Sequence, residues 1–261
     1  MGRFSNLEFD GQKNPLREEP AAAGEVRDET HYLRLADTDF RRARFDKALR
    51  YYSRALEFNA NVVAAWVGQA QMLVELGEFK EARLWCDKAL ELHRDHPDVL
   101  SCKSIAIARQ GDVDKALEFT DAALAQRGTS PLVWLARGEA LMAARQSNDD
   151  HCLEKASAEA KHEWFMQLRI ARVYYAYRHF GQAMTWVTKA LKQEPAAPFV
   201  LHVMGDCQLA LGFDSSAENS YRQALSLDRD FDLSRLALAA LKNRGPLDQF
   251  LRLVRNLLPW R

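Results

Sequence analysis

Two short clusters in this 261-residue chain have the residue types of a metal site: His93-Arg94-Asp95-His96 and Asp149-Asp150-His151-Cys152. A bound metal needs three or four such ligands converging within bonding distance, and a helix face offers a pair at i, i+4. His93 and His96 stand at i, i+3 just before Pro97. That is a helix end, where imidazoles meet free main-chain carbonyls, so the spacing predicts a C-terminal cap rather than a ligand pair. The Asp-Asp-His-Cys run reads as a solvated turn with Cys152 or Leu153 dipping into the core. No metal and no cofactor is expected. The cysteines Cys86, Cys102, Cys152 and Cys207 are far apart and form no CxxC. Such thiols fit a reducing, cytoplasmic setting better than a disulfide framework. Ser, His and Asp occur without a spacing that predicts a triad, and no nucleophile elbow, P-loop, dinucleotide glycine set or kinase signature is present. Tyr174, Tyr175 and Tyr177, with Trp164 and Trp186, sit at helical spacing, which reads as packing between elements rather than as a cofactor pocket. The chain is therefore read as non-catalytic.

The elements that carry these residues follow a fixed period. Ala48, Ala82, Ala116, Ala183 and Ala217 are separated by 34, 34, 67 and 34 residues. Each lies in a related phrase: ARFDKALRYYSRAL, GEFKEARLWCDKAL, GDVDKALEFTDAAL, RHFGQAMTWVTKAL and GFDSSAENSYRQAL. Self-similarity of this kind marks a stacked repeat protein, whose residues serve neighbour packing and one long surface. The 36 basic and 36 acidic side chains cancel, so no excess of positive charge is present to grip a phosphate backbone, and nucleic acid is not expected as a partner. No stretch approaches 18 consecutive apolar residues, and no membrane span is expected. The N-terminus lacks the apolar core of a secretory signal, and Asn6 stands where a myristoylation motif wants Ser or Thr.

Within one period, apolar and small residues fall at Trp66, Ala70, Leu73 and Leu76, then at Phe79, Ala82, Trp85, Ala89 and Leu90, with Gly77 between. Both runs have helical spacing, so each period is two helices and a turn. The register gives repeats at 29–62, 63–96, 97–130, 131–163, 164–197 and 198–231. Pro97, Pro131 and Pro198 sit at helix starts, where a missing N–H costs nothing. The fourth repeat loses its second-helix pattern across RQSNDDHCLEKASAEAKHEW and is expected to begin with a longer turn. Residues 1–28 lack periodicity and read as an extended or disordered arm carrying Phe4, Leu7 and Phe9; a short linear motif that folds into a groove is the alternative. Residues 232–261 read as a capping helix pair, with a basic amphipathic docking or membrane-surface helix as the alternative.

The phrase resembles the tetratricopeptide repeat, a 34-residue helix–turn–helix unit, through Trp66, Ala70, Leu73, Gly77, Phe79, Ala82 and Ala89, through Trp134, Gly138 and Leu141, and through Gly205, Gly212, Ala217, Tyr221 and Ala224. Asp39 departs from it, standing where a bulky residue is usual. The resemblance implies an all-α right-handed solenoid of six repeats with a C-terminal cap, and a concave groove lined by the first helix of each repeat. The lining it implies includes Leu33, Phe40, Val67, Gln71, Ile105, Leu135, Glu139, Met142, Phe165, Leu168, Arg172, Tyr175, Phe199, His202 and Asp206. The family's clamp for a C-terminal carboxylate would fall on Leu33, Asp37, Gly68, Asp98 and Cys102, none a suitable donor, and the two aspartates would repel the ligand. Repeats four to six could supply a different clamp only through Arg169 and Arg172. The function implied is an adaptor or scaffold holding a peptide or helix of another protein. The alternatives are a self-assembling structural protein, associating through the C-terminal helix, and an accessory subunit of an enzyme or secretion complex.

Overall fold

The computed structural model describes residues 27–126 and 130–243, and these form thirteen α-helices without a strand. In chain order they are α1 (Glu29–Arg41), α2 (Phe45–Phe58), α3 (Val63–Glu75), α4 (Phe79–Leu92), α5 (Pro97–Arg109), α6 (Val113–Ala125), α7 (Pro131–Ala143), α8 (Asp149–Glu159), α9 (Trp164–Ala176), α10 (Phe180–Gln193), α11 (Pro198–Ala210), α12 (Asp214–Leu227) and α13 (Asp232–Lys242). From α1 onward, every second helix starts 34, 34, 34, 33, 34 and 34 residues after the last. The fold class is an all-α solenoid of helical repeats. Residues 1–26 and 244–261, which carry the arm and the last part of the cap read from the sequence, lie outside the described residues.

The chain divides into two compact units, Met1–Ala156 and Ser157–Arg261, with the boundary inside α8. In the first, α1 packs on α2 and α3, α3 on α4 and α5, and α5 on α6 and α7. In the second, α9 packs on α10 and α11, α11 on α12, and α12 on α13.

Local chemistry sets the helix limits. Asp28 caps α1 by accepting from the His31 N–H at 2.9 Å, and Glu163 caps α9 by accepting from the Met166 N–H at 3.2 Å. Proline opens α5, α7 and α11. Within five of the six helix pairs the turn has three residues, and its middle residue takes positive φ: Ala43 at 55°, Gly77 at 79°, Gly111 at 88°, Arg178 at 66° and Gly212 at 92°. Each turn then closes with an N–H bonded back to the first helix, as from Glu78 to the Leu73 carbonyl at 2.8 Å.

Packing explains the repeated alanines. Ala48, Ala82, Ala116, Ala183 and Ala217 are each the fourth residue of a second helix and are fully buried. Two glycines serve the same closeness more sharply. A Cβ on Gly68 would lie 2.3 Å from the Tyr52 ring, and one on Gly205 would lie 2.5 Å from the Tyr221 ring. Asp39, unusual in the sequence, is buried beside Lys47 Nζ at 3.5 Å and Arg44 Nη1 at 3.9 Å, so its charge is answered.

The fourth pair differs. Its turn runs over 144–148, five residues, with positive φ at both Arg145 and Asn148. The Asp-Asp-His-Cys run opens α8 instead of forming a turn; Asp149 and Asp150 occupy the first helical turn, where the helix dipole favours negative charge. Cys152 and Leu153 are both buried.

Candidate protein-binding faces of the first helices

The first helices of the pairs in the first unit are α1, α3, α5 and α7, and Leu33, Phe40, Val67, Gln71, Ile105, Leu135, Glu139 and Met142 come from them. Their exposure is uneven. Phe40, Ile105, Leu135 and Met142 are buried among neighbouring helices. Glu139 is 2% exposed, and its carboxylate accepts from Arg109 Nε, which reaches across from α5. That charge is therefore spent on holding α5 to α7. Leu33, Val67 and Gln71 keep partial exposure, as does Val74 one turn beyond Gln71. Asp37 is exposed on the same face of α1, and its Oδ1 accepts from the Tyr52 hydroxyl at 2.6 Å. The accessible part of this face is thus mostly apolar, on α1 and α3, with one fixed carboxylate.

In the second unit, α9 and α11 carry Phe165, Leu168, Arg172, Tyr175, Phe199, His202 and Asp206. Phe165, Leu168, Phe199 and His202 are buried. Arg172 lies over the Phe199 ring, 5.2 Å from its centroid, and is partly exposed, as is Asp206. Tyr175 is 36% exposed and rests beside Phe180, with ring centroids 5.5 Å apart. Of the fifteen residues the sequence placed in a groove, nine belong to the packed interior and six, Leu33, Val67, Gln71, Arg172, Tyr175 and Asp206, reach the surface. Helical spacing could not separate the two groups, because the stacking of successive first helices decides which side of each residue is covered.

A polar chain in the second unit has no signal in the sequence. Tyr221 of α12 donates to Asp206 Oδ1 at 2.6 Å, Asp206 Oδ2 lies 3.4 Å from His202 Nε2, and His202 Nδ1 lies 3.2 Å from the Ser234 hydroxyl on α13. The grouping brings a serine, a histidine and an aspartate together, as hydrolases do. Its geometry serves another end, because Ser234 is fully buried and no acyl substrate can reach its oxygen. Burial holds the His202 pKa below the ordinary value, and Asp206 partly offsets this. The chain of bonds pins α13 to α11 and α12.

Among the described residues no three of His, Cys, Asp and Glu converge as metal ligands. His96 caps the start of α5 instead of the end of α4: its Nδ1 accepts from the Asp98 N–H at 3.3 Å, because Pro97 turns the chain directly into the next helix. None of the four cysteines forms a disulfide, and all four are buried. Burial raises the Cys86 and Cys152 thiols, and pushes Cys207 up to about 12, which keeps them protonated and poorly nucleophilic at neutral pH. No described helix is long and apolar enough to cross a membrane.

Residues 33–97 match the tetratricopeptide repeat family model. The fold is similar to that of a tetratricopeptide repeat protein from Parabacteroides merdae, with 17% identity, a TM-score of 0.52, and coverage of 82% of this chain and 84% of that one. It is also similar to a chain of the APC/C hetero-tetramer Cut9-Hcn1, with 14% identity, a TM-score of 0.50, and coverage of 82% of this chain and 43% of that one. At such identities the likeness is one of fold.

Proposed function

We propose that this tetratricopeptide-repeat protein is a non-catalytic adaptor or scaffold that holds a peptide or helix of another protein on the accessible faces of its first helices. The observation that carries this reading is the partial exposure of the apolar Leu33, Val67 and Val74 on α1 and α3, with the exposed Asp37 carboxylate of α1 held by Tyr52. In the second unit, Arg172 and Tyr175 of α9 and Asp206 of α11 keep exposure. Apolar anchors supply affinity at about 25 cal/mol per Å² before ordering costs, and the scattered charges reject wrong partners. The four buried thiols, none of them in a disulfide, support a cytoplasmic setting.

A photo-crosslinking residue tests the placement. Introduced at Val67 in the full chain, it should capture a defined partner peptide in cells. Introduced at Leu84, which is 59% exposed on the second helix α4, it should not. Equal capture from both positions would remove the first-helix faces from the reading. Capture of this chain's own C-terminal segment at either position would replace the adaptor with self-assembly.

A further inference from the structure

Tyr52 of α2 touches two first helices at once. Its hydroxyl donates to Asp37 Oδ1 of α1 at 2.6 Å, and its ring lies against α3 at Gly68, where a Cβ would stand 2.3 Å away. The Asp37 carboxylate is therefore held next to α3, at the turn that carries Val67 and Gln71. Leu33 precedes Asp37 by four residues, and Val67, Gln71 and Val74 recur at steps of four and three, so each set shares one helix face. All five keep at least partial exposure. A second carboxylate comes from α5. Cys102 Sγ lies 3.9 Å from the Val67 carbonyl, and Asp98 stands one turn before Cys102. Asp98 is partly exposed and accepts from the Ser130 hydroxyl.

The carboxylates of the first helices are not answered alike. Buried Asp39 has Lys47 and Arg44 beside it, and buried Glu139 has Arg109. Asp206, held by a tyrosine in the same way in the second unit, has His202 Nε2 at 3.4 Å. Among the described residues no cation pairs with Asp37 or Asp98. The place that His202 takes one turn before Asp206 belongs to Leu33 in repeat one. A segment that covers Leu33 and Val67 also strips water from the Asp37 carboxylate. That loss of hydration is unfavourable unless the segment brings a cation. Because the Tyr52 hydroxyl already fixes the carboxylate, little ordering remains for the partner to impose. An acidic segment would meet like charge at both Asp37 and Asp98. The zero net charge of the whole chain conceals this local sign.

We propose that the segment taken up on α1 and α3 is cationic: a lysine or arginine of the partner pairs with Asp37 while an aliphatic neighbour rests on Leu33 and Val67. The Gln71 amide, which both donates and accepts, meets the backbone of the segment. This rests on the adaptor reading above and gives it a partner chemistry.

The test uses the full chain with carbon-13 in its valine and leucine methyl groups. The probes are the acetylated, amidated pentapeptides ALKLA, ALQLA and ALELA, which differ only in the central charge. The Val67 methyl resonances, identified by their loss in Val67→Ile, should shift saturably at millimolar ALKLA. ALQLA should bind about threefold more weakly, the scale of a partly exposed ion pair, and ALELA more weakly still. Asp37→Asn keeps an acceptor for Tyr52 and should bring ALKLA and ALQLA together. Asp37→Lys should reverse the order so that ALELA binds best, with the other methyl resonances in place as the sign of an intact fold. An unchanged order in both variants would overturn the proposal. Equal binding of ALKLA and ALQLA by the native chain would also overturn it, and would leave the adaptor reading standing. No shift with any of the three peptides would take peptide binding away from these faces, and the proposal with it.

Discussion

Repeats one and six, one in each compact unit, are built on the same contact and use it differently. In both, a tyrosine of the second helix donates at 2.6 Å to an aspartate fifteen residues earlier on the first helix, Tyr52 to Asp37 and Tyr221 to Asp206. A glycine lets each ring come close, Gly68 of the next repeat's first helix α3 for Tyr52 and Gly205 of the same repeat's first helix for Tyr221. Asp37 is exposed and, among the described residues, is held by the hydroxyl alone, whereas Asp206 also faces His202, which reaches on to Ser234 of α13. The same pair therefore presents a carboxylate to solvent in the first unit and closes a polar core in the second. The residue that makes the difference stands one helical turn earlier, Leu33 in repeat one and His202 in repeat six.

The glycines are where this contact breaks most easily. A methyl group on either would sit far inside the contact distance of a buried ring, which leaves the ring or the helix to move. Gly68→Ala and Gly205→Ala should each lower unfolding free energy by about 3 kcal/mol, read from urea denaturation. Removing the ring should return part of the loss, so Tyr52→Leu combined with Gly68→Ala should fall short of the sum of the single losses. Strict additivity would show that the ring is not what the glycine accommodates.

The hydroxyls come next. Tyr221→Phe leaves the half-buried Asp206 without a donor and should cost about 2 kcal/mol. Asp37 is already open to water, which replaces the lost bond, so Tyr52→Phe should cost about 1 kcal/mol. Equal losses would mean that the two aspartates share one environment after all.

The contrast also shows where reading the sequence stops. The alanines at 48, 82, 116, 183 and 217 were legible because a close helix crossing admits one small residue type at one place in each period. The fourth repeat was legible as a lost pattern behind a longer turn, but not the five-residue length of that turn or the place of Cys152 where the other pairs have alanine. The accessible site was less legible than the fold. Glu139 looks like a surface charge until Arg109, thirty residues away, is seen to cover it, and Phe199 looks like a ligand anchor until Arg172 is seen above it. Those outcomes depend on the stacking of one pair on the next, which periodicity does not encode. The two-unit division falls within α8, in the fourth repeat, whose pattern the sequence shows as broken, although that helix carries neither Gly nor Pro to mark the place.

A smaller effect separates the repeats by pH. Burial lowers the folded-state pKa of His202 beneath the ordinary value of 6.5; Arg172 lowers it further and Asp206 opposes both. The unfolded chain then binds more protons than the folded one, so stability is full above about pH 6.5 and declines as pH falls through the folded value. Urea midpoints followed by probes near α13 should drop over that window in the native chain and hold steadier in His202→Gln. A native midpoint that is flat across the same interval would deny His202 this role.

The turns differ least. Ala43 of repeat one sits at φ 55°, close to the left-handed well that an L-residue tolerates, while Gly212 of repeat six sits at 92°, well outside it. Gly212→Ala should cost about 1 kcal/mol, because the new side chain must be carried at an angle natural only to glycine. Ala43→Gly relieves a smaller strain, frees the unfolded chain and gives up a buried methyl, so its net effect should be under about 0.5 kcal/mol. Two substitutions that exchange the same residue types in opposite directions should thus give unequal changes in urea midpoint. Changes of equal size and opposite sign would place the difference in residue type alone, with no part played by the angle each turn imposes.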